Sequence, residues 1–352
     1  MFRRSVIAFW TAMVVMIISA CEEDPKQLEI PIRYDTSVLM ATRITYYDLQ
    51  EIHFSFDVAV FKGDNELNEV IEFTGLPDTA FRFTDYVYNG DSVKHFVDKV
   101  VYTDSTDPGP FTTLVLIDQS ASPENFDETD YYNQRFQAFN TFYKNLDGKG
   151  KVCFAYFNRR AGEPSILKPI NNELSGEWNA DVTRQLLNLT HNQYGTSGLF
   201  DALDQAVSYI AARGNGNTSI TLFVRNKDDG QSSVTLDEVI LKAKANNVKI
   251  NVIWLIPNDH TTSVDFNTLW KLSTKTGGFT VYMSRIFQSS TVFIQLAKLL
   301  RRETNFYRVS ARITIPPPSF FNQVSYKTGV YLYYYPPGPF LASWIPLYFE
   351  KN

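Results

Sequence analysis

The chain has 352 residues, 44% of them apolar, enough to bury more than one core of a globular protein. Its net charge of −5 comes with no basic stripe, so nucleic acid is not an expected partner. Two cysteines and four scattered histidines (His53, His95, His191, His260) form no cluster with metal-ligand spacing.

The first twenty residues read as a targeting segment. Arg3-Arg4 gives a positive start, and Val6 to Ile18 is an apolar run too short to span a bilayer comfortably. The run ends in Ile18-Ser19-Ala20-Cys21, which resembles a bacterial lipobox. Small residues before the cysteine admit a peptidase, and the thiol accepts diacylglycerol. The resemblance implies that residues 1–20 are a signal peptide, that Cys21 carries lipid, and that the chain is anchored at the outer membrane. Glu22-Glu23-Asp24 is similar to the surface-export signal of Bacteroidetes lipoproteins and equally fits a solvated linker. The periplasmic face and the cell surface are therefore both open. Cys153, on the apolar run Val152 to Phe157, is then the single remaining thiol and reads as a small core hydrophobe.

Residues 21–45 read as the lipidated cysteine and a tether leading into a first strand. Residues 46–108 read as a β module. His53 to Phe61 alternates as a strand does, and Lys62-Gly63-Asp64-Asn65 supplies a turn. Val70 to Phe73, Ala80 to Tyr88 and Val93 to Tyr102 are further strands, the last two joined by Asn89-Gly90. The stretch from Asp104 to Pro110 marks a boundary. At the other end, Phe306 to Ile315, Tyr326 to Tyr335 and Trp344 to Phe349 are strand-like, with proline runs between them. Three strands alone bury too little. Residues 304–352 are therefore expected to pack on the N-terminal module, making residues 109–303 an insertion within one β domain. Tyr331, Tyr333, Tyr334, Tyr335, Phe340 and Trp344 read as core and cross-strand pairs more readily than as a carbohydrate platform.

The inserted region opens with Leu114-Val115-Leu116-Ile117-Asp118-Gln119-Ser120-Ala121-Ser122. An apolar strand delivers a carboxylate and two hydroxyls at alternate positions, so all three face one point beyond its end. A hard divalent cation accepts such oxygen donors together with water; a solvated turn is the plain alternative. Next come Gly195-Thr196-Ser197-Gly198, the helix start Leu199-Phe200-Asp201-Ala202-Leu203, and the strand Ile220 to Val224 followed by Arg225-Asn226-Lys227-Asp228-Asp229-Gly230. Leu236 to Ala245 reads as a helix and Lys249 to Ile256 as a buried strand. A helix carrying Leu269-Trp270-Lys271-Leu272 leads to the turn Thr276-Gly277-Gly278-Phe279, and a last helix spans about 288–303.

In order and spacing, these motifs over Phe111 to Arg302 resemble the von Willebrand factor type A domain. The resemblance implies an α/β, doubly wound, Rossmann-like fold, here with a β-rich accessory domain from the two flanks. It also implies a metal-ion-dependent adhesion site built from Asp118, Ser120, Ser122, Ser197 and Asn226. Thr196 is the alternate hydroxyl to Ser197. A one-residue shift would put Arg225 in place of Asn226, where it would pair with Asp118 instead of a metal. Asn226 stands where the family carries an aspartate, so Mg²⁺ (or Mn²⁺ or Ca²⁺) is expected to bind weakly, or not at all if the site is degenerate.

Enzyme motifs are missing: Ser120 stands where a haloacid dehalogenase-type phosphatase needs a second aspartate, and there is no nucleophile elbow, Walker loop or His-Glu-x-x-His. The expected function is a non-enzymatic, membrane-anchored binding protein with a protein or glycan partner. A periplasmic assembly factor or scaffold is the alternative, and an envelope-polymer hydrolase is disfavoured.

Overall fold

Strand β7 (Phe111–Asp118) is buried along its whole length on both faces, as a central strand of a covered parallel sheet must be. A computed structural model describes residues 36–47, 51–64, 69–72, 80–83, 86–88, 91–103, 109–120, 133–159, 166–170, 178–191, 195–214, 217–224, 230, 232–255, 265–283, 289–301, 306–314, 325–334 and 340–350. Parallel to β7 run β8 (Gly150–Phe157) on one side and β10 (Thr218–Val224), β11 (Val248–Leu255) and β12 (Thr280–Met283) on the other. The short β9 (Leu167–Pro169) closes the β8 edge antiparallel. The fold is α/β and doubly wound. Helices α3 (Leu199–Ala211), α4 (Leu236–Ala245) and α5 (Asp265–Thr276) cover the face bearing Leu114, Leu116, Ile220 and Leu222. Helices α1 (Gln134–Asn145), α2 (Ala180–His191) and α6 (Ser289–Leu300) lie over Val115, Ile117, Phe223 and Ile253.

Alternation along β7 explains both layers, because successive side chains feed opposite cores. The second core is aromatic: Phe293 of α6 meets Phe139 and Phe142 of α1 and Phe223 of β10 with ring centroids 5.2, 5.5 and 6.0 Å apart. In the first core, Cys153 is a sealed thiol whose pKa burial pushes up to about 12, as expected of a packing residue. The Thr276–Phe279 turn is fixed by close approach. Gly277 has φ +78°, and a Cβ on Gly278 would lie 2.0 Å from the Ile250 carbonyl oxygen. Thr276 Oγ1 meanwhile accepts from the Ile250 N–H at 3.0 Å.

The flanking strands continue the same sheet. Its order is β5-β6-β13-β2-β1-β12-β11-β10-β7-β8-β9, with β3 added on β2, twelve strands in all. Here β1 is Thr36–Tyr47, β2 Glu51–Asp64, β3 Glu69–Glu72, β5 Tyr86–Tyr88, β6 Asp91–Thr103 and β13 Phe306–Thr314. Strand β1 meets β12 antiparallel at Leu39↔Thr280. Strand β13, from the C-terminal flank, lies between β2 and β6 of the N-terminal flank. Arg308 stitches that seam, Nε to Asp57 Oδ1 at 2.7 Å and Nη2 to Oδ2 at 2.9 Å, across a directly paired position. Behind it, Tyr307 is buried against Phe81 and Tyr102.

Two local expectations change. Ala80 to Tyr88 is not one strand: β4 (Phe81–Phe83) joins a second, three-stranded sheet with β14 (Ser325–Tyr334) and β15 (Phe340–Glu350), while β5 pairs with β6. Burial of Phe81 against Tyr307 draws the first half of that segment away from the second. Strand β2 also runs on through Lys62 and Gly63 to Asp64, because β3 pairs with those residues and extends the ladder past the expected turn.

Candidate functional site

Strands β7, β8 and β10 end on the same edge of the sheet. From β7 the chain crosses through α1 to β8, whereas from β10 it crosses through α4 to β11 on the other side. The crevice between the ends of β7 and β10 is thus the topological switch point, where open α/β sheets bind ligands. Asp118 is the last residue of β7 and 1% exposed. Its Oδ1 accepts from the Ser120 N–H at 3.0 Å and from Ser120 Oγ at 2.5 Å. A hydroxyl that donates its proton to a carboxylate can still act as an acceptor through its oxygen. The local turn therefore sets the Asp118 carboxylate and the Ser120 hydroxyl side by side.

Gln119, between them, faces away and anchors the turn from below. Its Nε2 donates to the Leu189 carbonyl near the end of α2, and its Oε1 accepts from Arg135 Nη1 at 3.4 Å. Arg135, 1% exposed in the first turn of α1, also donates through Nη2 to Leu189 O at 3.2 Å. A guanidinium at a helix C-terminus complements the helix dipole. Sequence reasoning missed both residues, since nothing in a polar residue's immediate neighbours tells a buried anchor from a surface group.

The neighbouring loop brings Ser197. Arg159, just past β8, exchanges backbone hydrogen bonds with Thr196, N–H to O at 2.8 and 3.1 Å. Thr196 is exposed, whereas Ser197 is 3% exposed and its Oγ has no hydrogen-bond partner among the described residues. Leaving such a group unmet costs about 1–3 kcal/mol. Gly198 follows with φ +53° as the N-cap of α3, and a Cβ there would lie 3.1 Å from Arg159 Nε. Asn158, fully buried, accepts from Lys168 Nζ at 2.6 Å through Oδ1, while its Nδ2 has no partner among the described residues.

Asp201 ties three loops together. Its Oδ2 accepts from Arg159 Nη2, and its Oδ1 accepts from Ser233 N and Oγ, both at 2.8 Å, and from Val234 N at 3.1 Å. Ser232 Oγ in return accepts from the Phe200 and Asp201 amides at 3.2 and 3.3 Å, capping α3 from another loop. Burial alone would raise the Asp201 pKa; the Ser233 and Val234 donors and the Arg159 charge more than offset it and hold it below the usual value. Thr235 then forms a capping box with Glu238 at the start of α4. The sequence marked Asp201 only as part of a helix start.

Asp118, Ser120 and Ser197 thus belong to loops at one sheet edge, and their donor set, one carboxylate with hydroxyls, is of a kind hard divalent cations accept. Among the described residues no three or more His, Cys, Asp or Glu side chains are grouped so that they could hold a metal ion. Cys21, Ser122, Arg225 and Asn226 lie outside the described residues.

No protein-family profile matches the chain, and no curated protein matches it in sequence. Solved structures similar to it include a von Willebrand factor type A protein from Catenulispora acidiphila, at 10% identity over 91% of this chain and 74% of that one, with a TM-score of 0.43. The pilus adhesin SpaC from Lactobacillus rhamnosus GG is 9% identical over 90% of this chain and 48% of its own, with a TM-score of 0.42. A variant of the PilB minor pilin from Streptococcus sanguinis is 12% identical over 77% and 80% of the two chains, with a TM-score of 0.41. The α/β class itself rests on the strand order and the two helical layers described above.

Proposed function

We propose that the chain is a non-enzymatic, membrane-tethered binding protein that holds a protein or glycan partner on the loops around Asp118. The observation that carries this reading is the preassembled Asp118–Ser120 pair at the switch point, with a buried, unpartnered Ser197 hydroxyl on the adjoining loop. Such an orphaned oxygen suits a ligand or cation supplied from outside. A divalent cation held by Asp118, Ser120, Ser122, Ser197 and Asn226 would offer the partner an open coordination position. With a single carboxylate among five ligands, its affinity falls in the weak range of about 10⁻⁴–10⁻³ M.

Titration calorimetry with Mg²⁺ and Mn²⁺ tests the cation. Binding in that range, lost in Asp118→Ala, is the expected result. Submicromolar binding that survives the substitution would show that the metal sits elsewhere. Silence at millimolar metal would replace the cation with an Arg225–Asp118 pair.

The tether is lipid on Cys21, with the chain at the outer membrane. Its support is the Ile18-Ser19-Ala20-Cys21 sequence behind a charged, apolar leader. An alkyne fatty acid fed to expressing cells should label the wild type and not Cys21→Ser; equal labelling of both would refute the anchor.

A further inference from the structure

Strand β6 lies at the opposite end of the twelve-stranded sheet from β9, with only the three-residue β5 beyond it. β5 pairs with Asp91, Ser92 and Val93 and reaches no further. From Lys94 to Thr103, β6 pairs with β13, and among the described residues no second strand pairs with this stretch. The stretch holds no proline or glycine. Such an edge offers its backbone N–H and C=O groups to another strand. It also carries Phe96 and Val101, 41% and 40% exposed, two of the three large apolar side chains exposed among the described residues. A bulge interrupts the ladder at Asp98, between the pairs Ser310↔Lys99 and Ala311↔Val97. Bulges and charges ordinarily discourage strand addition, but this bulge has a second effect. Phe96 and Val101 are five apart, a spacing that puts side chains on opposite faces of a regular strand. The extra residue brings both to the outer face, opposite Arg312 and Arg308 of β13. Asp98 joins them there: its Oδ1 stands 3.1 Å from Arg312 Nε, and Arg312 also lies over the Phe96 ring at 5.1 Å. Lys99, opposite Ser310, is exposed on the same face, whereas Val97 and Val100 pack on the core.

We propose that the β6 edge docks a second copy of this chain, the two β6 strands pairing antiparallel about a two-fold axis. The occupant follows from the order of the residues, which is complementary to itself. With the axis between Asp98 and Lys99, Asp98 of one copy lies opposite Lys99 of the other. Phe96 then lies opposite Val101 on the same outer face, and Val97 opposite Val100 on the core face. Each pairing occurs twice, as an isologous interface requires. Opposite charges and apolar side chains set directly across from one another are the contacts that stabilise an antiparallel ladder. Six strands separate β6 from β7 in the sheet order, so this pairing leaves the Asp118 loops of both copies uncovered. The dimer carries two such sets of loops, and a partner that repeats its epitope would gain avidity from them. The pairing itself does not depend on what those loops bind.

The test is sedimentation velocity of the full chain in mild detergent, with charge reversal as the probe. The wild type should associate reversibly into dimers and no larger species. Asp98→Lys sets like charges opposite each other at two places, as does Lys99→Asp, and each should weaken association at least about tenfold. The double reversal restores opposite charges across the axis and should recover most of that loss, with unfolding temperature as the control for folding. Loss of the Asp98–Arg312 bridge is common to Asp98→Lys and the double variant, so the rescue reports the contact between copies. Phe96→Cys combined with Val101→Cys gives a second measurement. Within one chain these thiols lie about 16 Å apart, too far to bridge. Copper-phenanthroline oxidation of cell envelopes should therefore link two copies of the double-cysteine chain, and neither single-cysteine variant should link. A wild type that stays monomeric at its highest soluble concentration overturns the proposal. So do single reversals that associate like the wild type, a double reversal no better than the singles, and a cross-link to a different protein. If the charge variants do not fold, the cysteine pair decides alone, and absence of the linked dimer overturns the proposal.

Discussion

Replacing Asp201 with alanine is expected to lower stability by about 2–4 kcal/mol, a large effect for a single side chain. The carboxylate is nearly buried and accepts from Arg159, Ser233 and Val234 at once. Its loss leaves the Arg159 guanidinium without its partner and the Ser233 and Val234 amides without their acceptor. Water reaches part of this cluster, since Ser233 is exposed, which keeps the effect below that of a fully buried pair. The dependence on pH has a definite sign. A carboxyl whose pKa is depressed on folding from the ordinary 3.8 contributes fully above that value. The contribution is lost as pH falls through the depressed one. Urea unfolding of wild type and Asp201→Ala at pH 7 and at pH 3 measures both. The gap should be large at pH 7 and narrower at pH 3; a gap below about 0.5 kcal/mol at pH 7 would place Asp201 among ordinary surface residues.

What makes Asp201 informative is also why it was hidden. Its partners lie 42 residues before it, at Arg159, and 32 and 33 residues after it, at Ser233 and Val234, and no local pattern predicts which loop a carboxylate will hold. The elements that were legible are those whose signal is local. Leu114 to Ile117 reads as a buried strand because no polar residue interrupts it, and Leu236 to Ala245 reads as a helix, to whose start the structure adds the Thr235–Glu238 capping box. Alternation predicts Asp118 and Ser120 on one side, whereas in the structure the strand ends at Asp118 and Ser120 meets it through a turn closed by its N–H and hydroxyl on Asp118 Oδ1. By contrast, α1 hides a fully buried arginine on its core face, β9 carries a proline at a sheet edge, and neither was anticipated. The continuity of the sheet from β12 into β1 rests on a single registered pair, Leu39↔Thr280, between strands far apart in sequence.

Binding at the Asp118 face carries the second large effect. Removing Asp118, Ser120 and Ser122 together takes away the carboxylate and the hydroxyls that the proposed face would use, while β7 keeps the apolar residues that build both cores. The chain should therefore stay folded and lose its partner. The most direct measurement is affinity capture from bacterial envelope extracts by the wild type and by an Asp118→Ala, Ser120→Ala, Ser122→Ala variant, with and without EDTA, scored by quantitative mass spectrometry. The predicted result is a defined partner retained by the wild type, reduced at least about tenfold in the variant, at an unfolding temperature close to that of the wild type. Identical partners at equal yield from both chains would contradict the account.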